Sequence, residues 1–222
     1  PYKKIVVLTP WWESLLKQQK ITKPITVSPN PNNEKYCQVA KEFLNTPRQI
    51  NNEGGNIKIL TMARVAKGKN IDIVIKTMLN LPEHCTLTIA GDGPLLSSHK
   101  ELVETLGLNK RVTFTGWIDG EKKEALLKEA DIFCLPSTYD SFGMVFIEAM
   151  AFDLPVVAYG WGPINDVVTS DVGECCQAPT VVDVTESILK VLSKLGQYGG
   201  HGPKKVLSQY TPQKVVQHII NL

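Results

Sequence analysis

The stretch YDSFGMVFIEAM, residues Tyr139 to Met150, decides how this chain is read, because it sets one carboxylate, Glu148, inside a run as apolar as a core. If the run is a helix, the neighbours of Glu148 on its own face lie three and four residues away. They are Met144, Val145, Ala151 and Phe152, and none offers a solvated face. Asp140 and Ser141 are N-cap candidates ahead of Phe142 and Gly143; Met144 to Phe152 runs without a breaker, and Asp153-Leu154-Pro155 stops it. A helix apolar all round is buried, and an ionised carboxylate taken from water without a partner costs several kcal/mol. Something polar therefore meets Glu148: an internal donor, a crack of solvent, or a ligand bearing hydroxyls.

The rest of the chain bounds the answer. With 222 residues and 43% hydrophobic content it can bury a substantial core as one domain or two small ones. The balance of 24 Lys and Arg against 22 Asp and Glu gives no field that would attract nucleic acid, so any anion site is local. No apolar run approaches the ~20 residues of a membrane span, and the opening PYKKIVVLTPWW has no signal-peptide layout, so the chain reads as cytoplasmic. Five cysteines, Cys37, Cys85, Cys134, Cys175 and Cys176, form no CxxC, and no histidine stands at ligand spacing. They read as reduced structural thiols, with no metal site. His84, His99, His201 and His218 stand singly and read as surface residues.

Short β-rich runs (KIVVLT, IKILTMA, LTIA, RVTFTG, DIFCLPS, LPVVAYG) alternate with helical patterns such as NIDIVIKTMLN, PLLSSHKELVETLG and GEKKEALLKEA. That alternation predicts an α/β fold, a Rossmann-like doubly wound parallel sheet that binds ligands beyond the carboxyl ends of its strands. Residues 46–56, TPRQINNEGGN, read as a mobile loop; Thr211 and Pro212 read as N-cap and first residue of a final helix. Lys3 to Thr9 reads as a buried-type strand with nothing before it to pair with.

Four strand-end loops carry the candidate chemistry. In MARVAKGKN, Arg64 and Lys69 stand five residues apart at a strand end and a helix start, where two cations flank an anion; two solvated surface cations are the alternative. In AGDGPLL, Gly91 and Gly93 permit a tight turn and Pro94 can open a helix, but Leu96 breaks the dinucleotide fingerprint. In TGWIDGEKK, Trp117 and Ile118 sit where a flat ring is covered, with Lys123 at the start of an amphipathic helix. The fourth is the opening stretch, where the N–H groups of Phe142, Gly143, Met144 and Val145 suit a phosphate, and Glu148, one turn deeper, suits vicinal hydroxyls such as a ribose offers.

At this point the chain resembles the C-terminal, donor-binding half of retaining glycosyltransferases of family 4 (group 1), with the GT-B fold. The likeness runs from about Ile25 to the end, through ITVSPN, MARVAKGKN, LTIAGDGP, RVTFTGWI, ADIFCLPS and DSFGMVFIEAMAFDLPVVA. The last motif is specific: the family carries two glutamates eight positions apart, at the positions of Asp140 and Glu148. The resemblance implies that Arg64 and Lys69 hold a donor diphosphate, that Ile118 meets the base through its backbone, and that Glu148 takes the ribose hydroxyls. It also implies that Phe142, Gly143, Met144 and Val145 face sugar and phosphate, with Asp140 near the transferred sugar. Asp140 is one methylene shorter than the usual glutamate, and Pro31 stands where the linker commonly has glycine.

The implied organisation is a remnant of an acceptor-binding domain and hinge over residues 1–25, a nucleotide-sugar-binding domain over 26–209 and a C-terminal helix over 210–222. The implied donor is a UDP- or GDP-linked sugar, used without metal or other cofactor. The implied partner is an N-terminal acceptor domain beyond this chain, through which peripheral membrane contact would come; alone the chain would bind donor and not transfer. A nucleotide-binding subunit of a two-chain glycosyltransferase, a GT-B sugar-nucleotide epimerase and a Rossmann oxidoreductase are the rival readings.

Overall fold

A computed structural model describes residues 3–49 and 55–220. Six parallel strands form the main sheet: β3 (Ile57–Met62), β4 (Cys85–Ala90), β5 (Val112–Gly116), β6 (Ile132–Leu135), β7 (Val156–Tyr159) and β8 (Gly173–Cys176). Their order is β5-β4-β3-β6-β7-β8. The chain builds outward from β3 to β5, then returns to lay β6 on the other side of β3, which makes a topological switch point between β3 and β6. Hydrophobic residues alternate between the two faces: Leu60, Phe133, Leu135 and Val156 join one core cluster, and Ile59, Ile132, Cys134 and Val157 the other. The helices α2 (Glu34–Asn45), α5 (Gly120–Glu129), α6 (Met144–Ala151) and α9 (His201–Gln209) contribute to the first cluster, and α3 (Ile71–Thr77), α4 (Leu96–Thr105) and α8 (Val181–Ser193) to the second. Helices on both faces of a parallel sheet are the doubly wound architecture expected from the alternation.

Upstream, β1 (Ile5–Val7) and β2 (Ile25–Val27) form a separate parallel pair linked by α1 (Pro10–Gln18). The Lys3 to Thr9 strand is not of the buried type: it shortens to three residues, and Val6 is 52% exposed, because a two-stranded sheet has no second layer on that side. The last helix, α10, spans Pro212–Ile220, with Lys214 N donating to Thr211 Oγ1 at 3.4 Å as that N-cap reading anticipates.

Several local readings change. α6 starts at Met144, not at Asp140 or Ser141: the chain turns at Gly143 with φ 79°, where a Cβ would stand 2.4 Å from the Phe146 ring. α6 ends one residue early, and Asp153 at φ 58° leads into Leu154-Pro155. The Asn70–Asn80 helix contracts to Ile71–Thr77 behind a left-handed Asn70, and α4 begins at Leu96 rather than Pro94. His99 is 7% exposed, a core residue and not a surface one. Of the loop 46–56, residues 50–54 lie outside the described residues. Its first part is pinned: the Arg48 guanidinium donates to the carbonyls of Leu127, Lys128, Ala130 and Phe152, closing the C-terminal ends of α5 and α6. Among the described residues all five cysteines are free thiols.

Candidate functional site

The loops after β3 and β6 meet at the switch point and are laced together. Thr138 N donates to the Gly68 carbonyl at 2.8 Å, and Asn70 Nδ2 reaches both Pro136 O and Thr138 Oγ1 at 2.7 Å. Asn70 spends backbone strain, φ 54°, to point its amide across this seam. On that frame Lys69 Nζ lies 2.8 Å from Asp140 Oδ1 and 3.3 Å from Ser137 Oγ, while Asp140 Oδ2 is buried with no protein partner. The loop after β4 is fixed to the one after β3 by its glycines. A Cβ at Gly91 would stand 1.9 Å from Ala63 O and one at Gly93 2.4 Å from Val65 O, so both positions require glycine for backbone contact. Val65 N and Leu95 N complete the junction through Asp92 O and Val65 O.

Glu148 receives its answer from inside the protein. Lys123, in the first turn of α5, contacts Oε1 and Oε2 of Glu148, each at 2.8 Å, with side chains 23% and 18% exposed. The partner is the internal donor, reached from the loop after β5. The Lys123 ammonium also lies 5.7 Å from the centre of the Tyr36 ring. Burial, with Glu148 and Glu124 adding negative charge, pushes the Tyr36 hydroxyl up to about 12, so it stays protonated. Four carboxylate lone-pair sites remain more than one ammonium can fill, so paired Glu148 keeps acceptor capacity.

Thus the two ion pairs and the glycine junction bring the four candidate loops to one sheet edge. Arg64 is exposed beside them. Ile118 is half-buried against the core, whereas Trp117 is 73% exposed. Phe142 and Gly143 are buried, and Phe146 N donates to Gly143 O, which leaves the N–H groups of Met144 and Val145 at the open end of α6. Sequence reasoning did not find Lys123 as the partner of Glu148, nor Ser137, Asn70 and Thr138. Those partners lie 25, 68, 66 and 68 residues from theirs along the chain, and no local pattern carries such contacts. Among the described residues no group of His, Cys, Asp and Glu has metal-binding geometry.

Residues 43–198, more than half of the chain, match the family described as glycosyl transferases group 1. The chain belongs to that family. As a group 1 glycosyltransferase chain it is 29% identical over 188 residues to an uncharacterized glycosyltransferase of Methanocaldococcus jannaschii, covering 82% of this chain and 48% of that one. It is 31% identical over 120 residues to the alpha-monoglucosyldiacylglycerol synthase of Streptococcus pneumoniae, covering 53% of this chain and 27% of that one. The chain thus spans about half or less of the length of these curated relatives. Two solved structures share its GT-B glycosyltransferase fold. Sucrose-phosphate synthase of Thermosynechococcus elongatus superimposes with a TM-score of 0.80 at 22% identity, over 100% of this chain and 57% of that one. Anabaena HepE, in complex with UDP and glucose, superimposes with a TM-score of 0.78 at 17% identity, over 99% and 62%.

Proposed function

We propose that this chain is the donor-binding half of a retaining family 4 glycosyltransferase, which holds a nucleoside diphosphate sugar at the β3–β6 switch point. The observation that carries the reading is the union of four strand-end loops at one edge, with Lys69 and Asp140 in contact there at 2.8 Å. Arg64 and Lys69 take the diphosphate, with the Phe142 to Val145 amides beside them. Ile118 meets the base through its backbone, and Glu148 accepts from the ribose hydroxyls while Lys123 holds it. Cleavage of the sugar–phosphate bond leaves growing charge on the diphosphate, and preorganised cations and helix N–H groups lower that barrier without reorganising. Asp140, one carbon shorter than the family's glutamate and already spending one oxygen on Lys69, offers Oδ2 to the sugar. The relatives are about twice as long, and acceptor recognition is assigned to a second unit of the enzyme.

Calorimetric titration with UDP, GDP and ADP tests this, alongside Glu148→Ala and the double variant Arg64→Ala/Lys69→Ala. Saturable binding of one nucleotide, weakened at least tenfold by both changes in folded protein, supports the donor site and names the base. Binding that neither change weakens overturns the residue assignment.

A further inference from the structure

Three of the four tryptophans meet at one seam, where two from α1 join one from the loop after β7. Trp11 packs edge-on against Trp12 at 4.8 Å and against Trp161 at 5.4 Å between ring centres. The N-terminus of α1 has no side-chain cap of its own, and Pro10 supplies no N–H; the first free donor, Trp11 N, is taken by Asp166 Oδ2 at 2.8 Å. A carboxylate from α7 (Ile164–Val167) therefore caps α1 through Trp11, 155 residues earlier in the chain. On the same seat, Trp12 Nε1 donates to the Ser141 carbonyl at 2.9 Å.

That last bond lands on the least supported part of the candidate site. Thr138 is fixed through the Gly68 carbonyl, and Phe142 is buried against Tyr210. Between them Tyr139 is 77% exposed, and two side-chain tethers hold the stretch: Lys69 at Asp140 and Trp12 at Ser141. If Lys69 turns to a diphosphate, one tether of Asp140 is relaxed and Trp12 remains. We propose that Trp12 is a positioning residue, which holds the Ser141 peptide, and with it the Asp140 carboxylate, in place from the upstream helix α1. The seating of residues 5–27 on the donor unit is thereby read out at Asp140. The catalytic meaning of this clasp rests on the donor-site reading above; the clasp itself does not.

Hydrogen exchange of the whole chain without nucleotide tests it. In Trp12→Phe, which keeps the ring and deletes the donor, amides of 139–143 exchange at least about tenfold faster, a loss of roughly one hydrogen bond. Those of β3 and β4 are unchanged, and Trp117→Phe, at an exposed ring, changes neither. Unaltered exchange at 139–143 in folded Trp12→Phe overturns the proposal. Should that variant lose protection throughout, a reciprocal measurement decides: in ¹⁵N-labelled chain, Asp140→Ala shifts the Trp12 indole resonance and leaves that of Trp117 in place. A fixed Trp12 resonance in that experiment overturns the clasp. Failure of the nucleotide titration with a positive exchange result removes the donor reading alone.

Discussion

The two lysine–carboxylate pairs of the site have nearly the same dimensions and different settings. Lys69–Asp140 and Lys123–Glu148 both close at 2.8 Å, with side chains 26% and 19% exposed in the first and 23% and 18% in the second. The first joins two loops at the centre of the sheet, braced by Asn70, Ser137 and Gly68. The second joins the first turn of α5 to the middle of α6, and both of its carboxylate oxygens lie within reach of the lysine. Asp140 keeps one oxygen buried without a partner, whereas Glu148 is satisfied internally. Similar geometry thus serves two ends: one pair leaves an acceptor waiting, and the other steadies a carboxylate that has capacity to share.

The largest separation between the pairs is expected in nucleotide affinity. Charge-assisted hydrogen bonds contribute roughly 1.5–3 kcal/mol each, so Glu148→Ala weakens the nucleotide found by calorimetry about 10- to 100-fold. Asp140→Ala releases Lys69 and leaves affinity equal or tighter; a tenfold loss there would merge the two roles. Stability separates them next. Lys123→Met leaves Glu148 against apolar neighbours and costs about 1–2 kcal/mol, the buried-pair penalty discounted for partial exposure. Lys123→Met/Glu148→Met regains most of it in urea unfolding, and an uncorrected loss would mean packing rather than charge.

The brace of the first pair is tested by Asn70. Asn70→Ala removes two hydrogen bonds and keeps the left-handed strain, costing about 2 kcal/mol, and Asn70→Gly recovers about half by relieving the strain. A smaller effect is pH-dependent. Burial raises the Asp153 carboxyl above its ordinary 3.8, against the lowering effect of N–H donors from Arg48 and Gly200 and of the Arg48 charge. The folded chain then holds that proton more tightly than the unfolded chain. Its contribution to stability is fullest below pH 3.8 and is lost as pH rises through the folded value. Asp153→Asn flattens this limb, seen as a variant-minus-parent stability that rises from acid toward neutrality in urea melts. Smallest is thiol chemistry: burial pushes Cys175 up to about 11 and Cys176 up to about 12, so native alkylation near neutrality is slow at both.

The sheet was legible because its central strands are short, largely apolar and β-branched runs between helical patterns, and IFCL of β6 is buried at every position. Short strands at the margins were not: ITV of β2 and GECC of β8 carry no run long enough to stand out. Glu148 announced itself by contrast with its neighbours, and the need for a polar partner followed from burial cost alone. The partner's identity did not, since Lys123 is equally at home on an exposed amphipathic helix. Likewise Asp140 and Ser141 have the chemistry of N-caps. Tertiary demand overrode it, with Asp140 drawn to Lys69 and the turn made by Gly143.

The switch point also sets a timetable. β3 gains β4 within a short span, Ile57 pairing with Cys85, but its other neighbour comes late: Ile59 pairs with Ile132, 73 positions on (132 − 59). During synthesis, one flank of the central strand stays unzipped until β6 leaves the ribosome. A nascent chain halted before Leu135 presents an open, apolar strand edge of the kind that invites self-association or chaperone capture. The strand order that builds this sheet edge therefore keeps the β3 flank adhesive until β6 is complete, and β6 in turn hands its own open edge on until β7 covers it.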